Sequence, residues 1–164
     1  MQQLLQAPGI VGIEVDVAQL LDDATLPHSL LIEVLEQVQE VIAAGKTPVV
    51  YTSRQELVFA DVQARLQFGA TVSALLMDIV RGLPTELGYL VSKGGITSND
   101  VLSTGLALTS ARLLGQILAG CSMVRTPCDH PRFPNLPVVL FPGNVGDAEA
   151  LVTVYHRLNN SSKF

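Results

Sequence analysis

The stretch from Tyr89 to Leu102 constrains the fold of this chain more than any other. It begins with a short apolar run, Tyr89-Leu90-Val91, which predicts a buried strand, and Gly94 and Gly95 follow at once. A polar run and then an apolar pattern that suits a helix come next. A strand, a glycine turn and a helix start bring free backbone N–H groups and the positive end of a helix dipole together. The stretch therefore predicts an anion-binding turn.

A second stretch, Val138 to Leu151, repeats this order of elements. A strand leads into the turn Gly143-Asn144-Val145-Gly146, and a helical pattern follows. The two turns can share one phosphate only if their strands lie side by side in a parallel sheet, because only then do both strands end at the same rim. A shared phosphate site therefore requires that these two strands be parallel neighbours.

Composition limits the classes of function. The formal net charge is −5 and lysine plus arginine number 10, so the chain lacks the basic patch that nucleic acid or an anionic membrane requires. Only 15% of the residues are charged and the mean hydropathy is +0.39. We therefore expect a second copy, in a homodimer, or another domain to cover part of the surface. Two cysteines make no disulfide framework, which predicts a cytoplasmic location, and the composition of the first residues leads us to expect no export signal.

The alternation of strand and helix patterns predicts the architecture. We expect an α/β fold with a three-layer, doubly wound, mostly parallel sheet and helices on both faces. Its length of 164 residues predicts a single domain with a core at 10–158 and a tail at 159–164. Strands are predicted at 10–17, 48–51, 89–91, 121–125 and 138–141, and helices at 31–42 (ended by Gly45), 61–81, 99–107, 109–117 and 151–158. Apolar stripes are predicted on two of these helices, at Val72, Leu75, Leu76 and Ile79 and, on the final helix, at Leu151, Val154, Tyr155 and Leu158.

Each glycine turn has two interpretations. Lys93, Gly94, Gly95, Ile96 and Thr97 can wrap phosphate oxygens, with Lys93 adding a charge and Thr97 a hydroxyl. The alternative is an ordinary tight turn in which Thr97, Ser98 or Asn99 caps the helix. The turn at 143–146 is equally ambiguous, and neither turn is a Walker A or GxGxxG sequence.

Other polar residues add little to this interpretation. Asp147 is expected to interact with a helix dipole, and its charge beside a phosphate would require Mg²⁺. Ser53 and Arg54 follow the strand at 48–51 and are weaker candidates for an anion site. Cys121, Cys128 and His130 do not have a zinc spacing, so we interpret them as free thiols and a surface histidine. No nucleophile, general base or metal site is apparent, and the catalytic residues are unknown.

Three segments, VVYTSR at 49–54, SKGGITSNDVL at 92–102 and LFPGNVGD at 140–147, resemble the C-terminal nucleotide-binding domain of the four-carbon acid sugar kinase family. The likeness runs from about Ile10 to the final helix. It implies ATP-dependent phosphorylation of threonate, erythronate or 3-oxo-tetronate acids, with Mg²⁺ bound alongside ATP. In that family the turns that match Gly94–Thr97 and Gly143–Gly146 contact the nucleotide, so the resemblance carries the role over to these residues.

The sequence also departs from the family. Members have an N-terminal domain that binds the acid sugar and a serine-rich turn, GSxS, that opens the nucleotide site. Neither is recognisable here, so the chain is expected to lack turnover alone and to need a sugar-binding domain or partner chain. Two alternative hypotheses remain. The chain is either a non-catalytic module that binds nucleotide or phosphate and dimerises or docks to a partner, or a phosphosugar-binding domain unrelated to ATP.

Overall fold

The structure is a computed structural model that describes residues 1–21, 26–54 and 57–160. The chain divides into two compact units, an N-terminal unit (Pro8–Leu83) and a C-terminal unit (Met1–Ala7 and Pro84–Phe164). The assignment of the whole chain to one domain stays a prediction. The elements in chain order are α1 (Gln2–Leu5), β1 (Ile10–Val15), α2 (Leu26–Ala43), β2 (Thr47–Thr52), α3 (Val62–Gly82), β3 (Leu90–Lys93), α4 (Gly95–Asp100), β4 (Arg112–Leu118), β5 (Cys121–Arg125), β6 (Pro137–Phe141) and α5 (Ala150–Asn160).

In the N-terminal unit, two parallel strands are joined by a helix. The β1–β2 register runs from Ile10↔Thr47 to Val15↔Thr52, and α2 packs against both strands. Ile13, Val15 and the helix residues Val34 and Val38 are buried together with other apolar side chains. Both predicted strands and the predicted helix are therefore confirmed.

Helix α2 ends in a Schellman arrangement. The N–H of Gly45 donates to Ile42 O at 2.9 Å, and the N–H of Lys46 donates to Val41 O at 3.0 Å. Gly45 has a φ of 70°, a conformation in which a Cβ atom is unfavourable. The prediction that Gly45 ends this helix is confirmed.

Helix α3 is one continuous helix, so Gly69 does not divide it. Its N-cap is Asp61, whose side chain accepts a hydrogen bond from the N–H of Ala64 at 2.7 Å. The second half of the helix buries Leu75, Met77, Ile79 and Val80, whereas its first half is largely exposed. Of the predicted apolar stripe, Leu75 and Ile79 are buried, and Val72 and Leu76 are half-buried.

Replacing Gly69 by alanine is expected to stabilise the protein by about 0.5–1 kcal/mol, because alanine reduces the entropy of the unfolded chain and suits a helix interior. A Cβ atom at Gly69 would meet no atom within 4 Å. Urea denaturation measures the change. Gly45→Ala is the matched control and is expected to destabilise by about 1 kcal/mol, because its φ is positive. Equal stability of the two variants would contradict this account.

The C-terminal unit contains a four-stranded sheet in the order β3-β6-β5-β4. Strands β3 and β6 are parallel, whereas β6–β5 and β5–β4 are antiparallel. The prediction of one three-layer, mostly parallel sheet is therefore not confirmed. The described residues form two small sheets, and the larger one is mixed, because a hairpin supplies two of its strands.

The main error lies at 109–117, where a helix was predicted and strand β4 is found. Leucine and isoleucine spacing in this segment fits a short strand as well as a helix. The segment pairs with β5 through the two-residue connection Ala119-Gly120, where Gly120 has a φ of 80°. Gly115, with a φ of 121°, lies at a register shift of the kind a β-bulge produces. Tertiary pairing therefore overrides a helical pattern here.

The helix predicted at 99–107 begins earlier than expected. Helix α4 starts at Gly95, its N-cap is Gly94, and it continues as a π-helical turn over Val101–Gly105. Thr97, Ser98 and Asn99 therefore lie inside the helix, and the alternative that made one of them its cap is wrong.

The core of the C-terminal unit forms between the sheet and α5. Val138, Val139 and Phe141 of β6 are buried, as is Val154 of α5. The apolar stripe predicted on the final helix is confirmed, although the helix extends to Asn160, and residues 161–164 of the predicted tail lie outside the described residues. Of the helices in the described part of the chain, none has the length and hydrophobicity that a transmembrane segment needs.

Candidate anion-binding site

The two glycine turns leave the same rim of the four-stranded sheet. Strands β3 and β6 are parallel neighbours in a register that ends with Lys93↔Phe141. The ladder continues one residue further, since the N–H of Gly94 donates to Phe141 O at 2.8 Å. The parallel pairing that a shared site requires is therefore present. The pairing brings together the start of α4 and the turn at 143–146.

Backbone donors are exposed at the start of α4. The first helical hydrogen bond is donated by the N–H of Ser98 to Gly94 O at 2.9 Å. The N–H groups of Gly95, Ile96 and Thr97 precede it and have no carbonyl of an earlier helical turn to bind. Gly95 and Ile96 are exposed, Ile96 to 82%. Three N–H groups at a helix start suit an anion such as phosphate.

The glycines at this rim have two different roles. A Cβ atom on Gly95 or Gly143 would meet no atom within 4 Å, so each backbone faces open space from which a ligand can approach. Gly94 and Gly146 instead have φ values of 109° and 77°, which side chains disfavour. A Cβ atom on Gly146 would also lie 2.4 Å from the Cβ of Ala150. Gly94 and Gly146 therefore shape the turns, and Gly95 and Gly143 leave them open.

A buried serine pair attaches α4 to β3. The hydroxyl of Ser98 donates to Ser92 O at 3.1 Å and lies 3.3 Å from the Ser92 hydroxyl. Both serines are buried, so these bonds are shielded from water and hold the first turn of α4 against the end of β3. The sequence showed only two serines six residues apart, which is no recognisable signal. Their positioning role appears only in the folded chain.

Fixed charges at this rim have both signs. Lys93 is exposed, and its Nζ lies 6.0 Å from the centre of the Phe141 ring. Asp147 and Glu149 follow the second turn, both are exposed, and Asp147 Oδ1 accepts a hydrogen bond from the Glu149 N–H at 3.0 Å. Asp147 therefore precedes α5 instead of lying in its first turn. The second turn is therefore followed by negative charge, whereas Lys93 places positive charge at the end of β3.

Ser53 and Arg54 belong to the N-terminal unit. The hydroxyl of Ser53 accepts from the N–H of Val17 at 3.2 Å and donates to Asp16 Oδ1 at 3.4 Å, so it links the ends of β1 and β2. Arg54 is exposed. Their contribution to anion binding stays a prediction, as does that of Lys93, Gly94–Thr97 and Gly143–Gly146.

Tyr51 of β2 is expected to ionise at higher pH than an ordinary tyrosine. Partial burial, the hydrogen bond to Glu14 and the Glu14 charge raise its pKa above 10.0, while the Arg54 charge opposes the shift. The shift stabilises the fold below about pH 10, and this contribution is lost as pH rises through the raised pKa. Ultraviolet titration of wild type against Tyr51→Phe isolates this phenol. Glu14→Gln should lower its pKa, and an unchanged curve would contradict the assignment.

The cysteines are free thiols, as predicted, with Cys121 buried and Cys128 exposed. Burial raises the pKa of the Cys121 thiol. His130 is not the surface histidine that was predicted. It is half-buried, its Nδ1 accepts from the N–H of Phe133 at 2.9 Å, and its Nε2 donates to Leu106 O at 2.8 Å. Within the described ranges, no group of three His, Cys, Asp or Glu side chains could hold a metal ion.

The sequence and the fold of this chain are similar to those of one protein family and of several solved structures. A family model described as the nucleotide-binding C-terminal domain matches residues 1–151. A domain of unknown function (DUF1537) from Bordetella bronchiseptica, solved with bound citrate as a domain-swapped dimer, has a TM-score of 0.69 and 18% identity and is matched over 99% of this chain and 38% of its own. A Haemophilus influenzae protein of the same family has a TM-score of 0.61 and 16% identity, and the match covers 88% of this chain and 34% of that protein.

The chain thus spans 38% and 34% of the length of these solved structures. At such identities the two likenesses show the fold alone. No curated protein matches the sequence.

Proposed function

Because the chain belongs to the nucleotide-binding C-terminal domain family of DUF1537 proteins, which confirms the resemblance to four-carbon acid sugar kinases, we propose that it is the ATP-binding part of such a kinase. The proposed substrates of the whole enzyme are acids of the threonate, erythronate or 3-oxo-tetronate type. One observation carries the proposal: β3 and β6 are parallel neighbours, so both glycine turns open at one rim.

The residues at that rim fit a nucleotide phosphate. The N–H groups of Gly95, Ile96 and Thr97 would bind phosphate oxygens, and the open backbone at Gly143 would let the second turn approach the nucleotide. Mg²⁺ bound with ATP would offset the negative charge of Asp147. Phosphoryl transfer depends mainly on positioning and charge neutralisation, so this unit can serve the reaction without holding a general base.

Calorimetric titration tests the proposal. A non-hydrolysable ATP analogue with Mg²⁺ is expected to bind the chain, more weakly without Mg²⁺, and erythronate phosphate is expected not to bind. Binding of the sugar phosphate without binding of the analogue would instead support a phosphosugar-binding domain. The kinase assignment is tested by a coupled ADP assay with threonate or erythronate after addition of a sugar-binding domain. No turnover in that mixture would contradict it.

A second candidate function is a non-catalytic nucleotide-binding module that dimerises or docks to a partner. An exposed apolar pair favours it: Val62 and Leu66 lie one helical turn apart at the start of α3 and are 73% and 63% exposed, and Val58, four residues before the helix, is 94% exposed. A contiguous exposed apolar surface is typical of an interaction site. The Bordetella bronchiseptica relative, described as a domain-swapped dimer, offers a precedent for a dimer.

Leu66→Glu is expected to weaken self-association at least about tenfold, because it places a charge in an apolar contact. Sedimentation equilibrium over a range of concentrations measures the effect. Gln67→Glu adds the same charge at the neighbouring exposed position and is expected to leave association unchanged. A wild-type chain that stays monomeric at every concentration would contradict the dimer.

A further inference from the structure

Two arginines face each other across the hairpin of the C-terminal unit. Arg112 of β4 and Arg125 of β5 are direct partners in the antiparallel register. Such partners project from the same face of a sheet with their Cβ atoms about 5 Å apart, and like charges in this position destabilise the pairing. Two guanidinium groups placed this way therefore require a counter-charge.

No counter-charge comes from the residues that the structure describes. Arg125 is half-buried and Arg112 is exposed. The Arg125 Nε is fully buried, and it makes no hydrogen bond with any residue that the structure describes. Nor does a carboxylate in the described ranges form an ion pair with either arginine. A buried N–H without an acceptor is rare in folded proteins, and an ion from outside the chain would supply one here.

The arginine pair lies at the rim opposite the glycine turns. Arg125 is paired with Pro137, the first residue of β6, while the glycine turns adjoin Phe141, the last. Four residue steps separate these ends, which corresponds to about 13 Å along the strand. An anion held by the arginines is therefore separate from one held by Gly95 and Gly143.

We propose that Arg112 and Arg125 form a second anion site, which binds a small oxyanion, either a phosphate or a carboxylate. Guanidinium groups present their N–H donors in a planar fork that matches both kinds of oxyanion. One such ion would neutralise the facing charges and give the buried Nε an acceptor. The exposed Arg112 leaves the site open to solutes, whereas Arg125 fixes the ion against the sheet.

Titration of the full chain with inorganic phosphate, and separately with citrate, at constant ionic strength tests this site. The titration uses the Gly95→Val background, in which binding at the glycine turns is expected to be weakened, and the arginine variants are compared within that background, so the result does not depend on whether nucleotide binds at the turns. One phosphate or carboxylate ion is expected to bind per chain. Arg112→Ala and Arg125→Gln are each expected to weaken binding at least about tenfold. Arg65→Ala removes the same charge from an exposed position on α3 and should change nothing.

The two titrants identify the ligand. Tighter phosphate binding assigns the site to phosphate groups, and tighter citrate binding assigns it to carboxylates. The proposal is overturned if neither phosphate nor citrate saturates the site. It is also overturned if Arg112→Ala, added to Gly95→Val, binds the ion as tightly as Gly95→Val alone. Because Arg112 is exposed, its variant decides the matter even if Arg125→Gln fails to fold.

Discussion

Replacement of Gly146 by alanine is expected to lower the free energy of unfolding by about 2–4 kcal/mol, because two penalties coincide there. The residue has a φ of 77°, and an added Cβ atom would lie 2.4 Å from the Cβ of Ala150. Ala150 is itself buried at the start of α5, so it cannot move aside without shifting that helix. Urea denaturation followed by circular dichroism measures the change.

Gly143→Ala is the matched control in the same turn. Its φ is not positive and its Cβ atom would meet nothing within 4 Å, so its stability should stay within about 0.5 kcal/mol of wild type. A Gly146→Ala variant as stable as Gly143→Ala would show that the turn before α5 differs from the one described.

Gly95→Val is expected to weaken binding of the ATP analogue with Mg²⁺ at least about tenfold while leaving stability nearly unchanged. The valine would meet no protein atom within 4 Å, so it would occupy the open space from which phosphate reaches the N–H groups of α4. Calorimetry measures the affinity, and thermal unfolding confirms the fold.

Two controls make this result specific. Gly88→Val is an equally large substitution in the same unit, also with no atom within 4 Å, and should bind as wild type does. Lys93→Ala should weaken binding less than Gly95→Val, because backbone N–H groups supply most of the proposed contacts. Equal affinity of Gly95→Val and wild type would remove the basis of the nucleotide assignment.

Sequence patterns predicted helices and strands correctly where two local signals agreed. The helix ended by Gly45, the strand at Cys121–Arg125 and the apolar stripe of α5 were confirmed because apolar periodicity and a breaker agreed at each place. The segment at 109–117 was mistaken for a helix, since a short apolar run fits both periodicities and only pairing with β5 distinguishes them. The serine pair that holds α4 against β3 carried no local signal at all.

The sequence by itself determined that two strand–glycine–helix stretches exist, because conformational demands on glycine and helix starts act over a few residues. Only the tertiary structure decided that β3 and β6 pair in parallel and that the remaining strands of their sheet run antiparallel. It also placed Arg112 opposite Arg125, a juxtaposition of residues distant in the chain. Strand pairing depends on burial and hydrogen bonding between segments far apart in sequence, which no local pattern records.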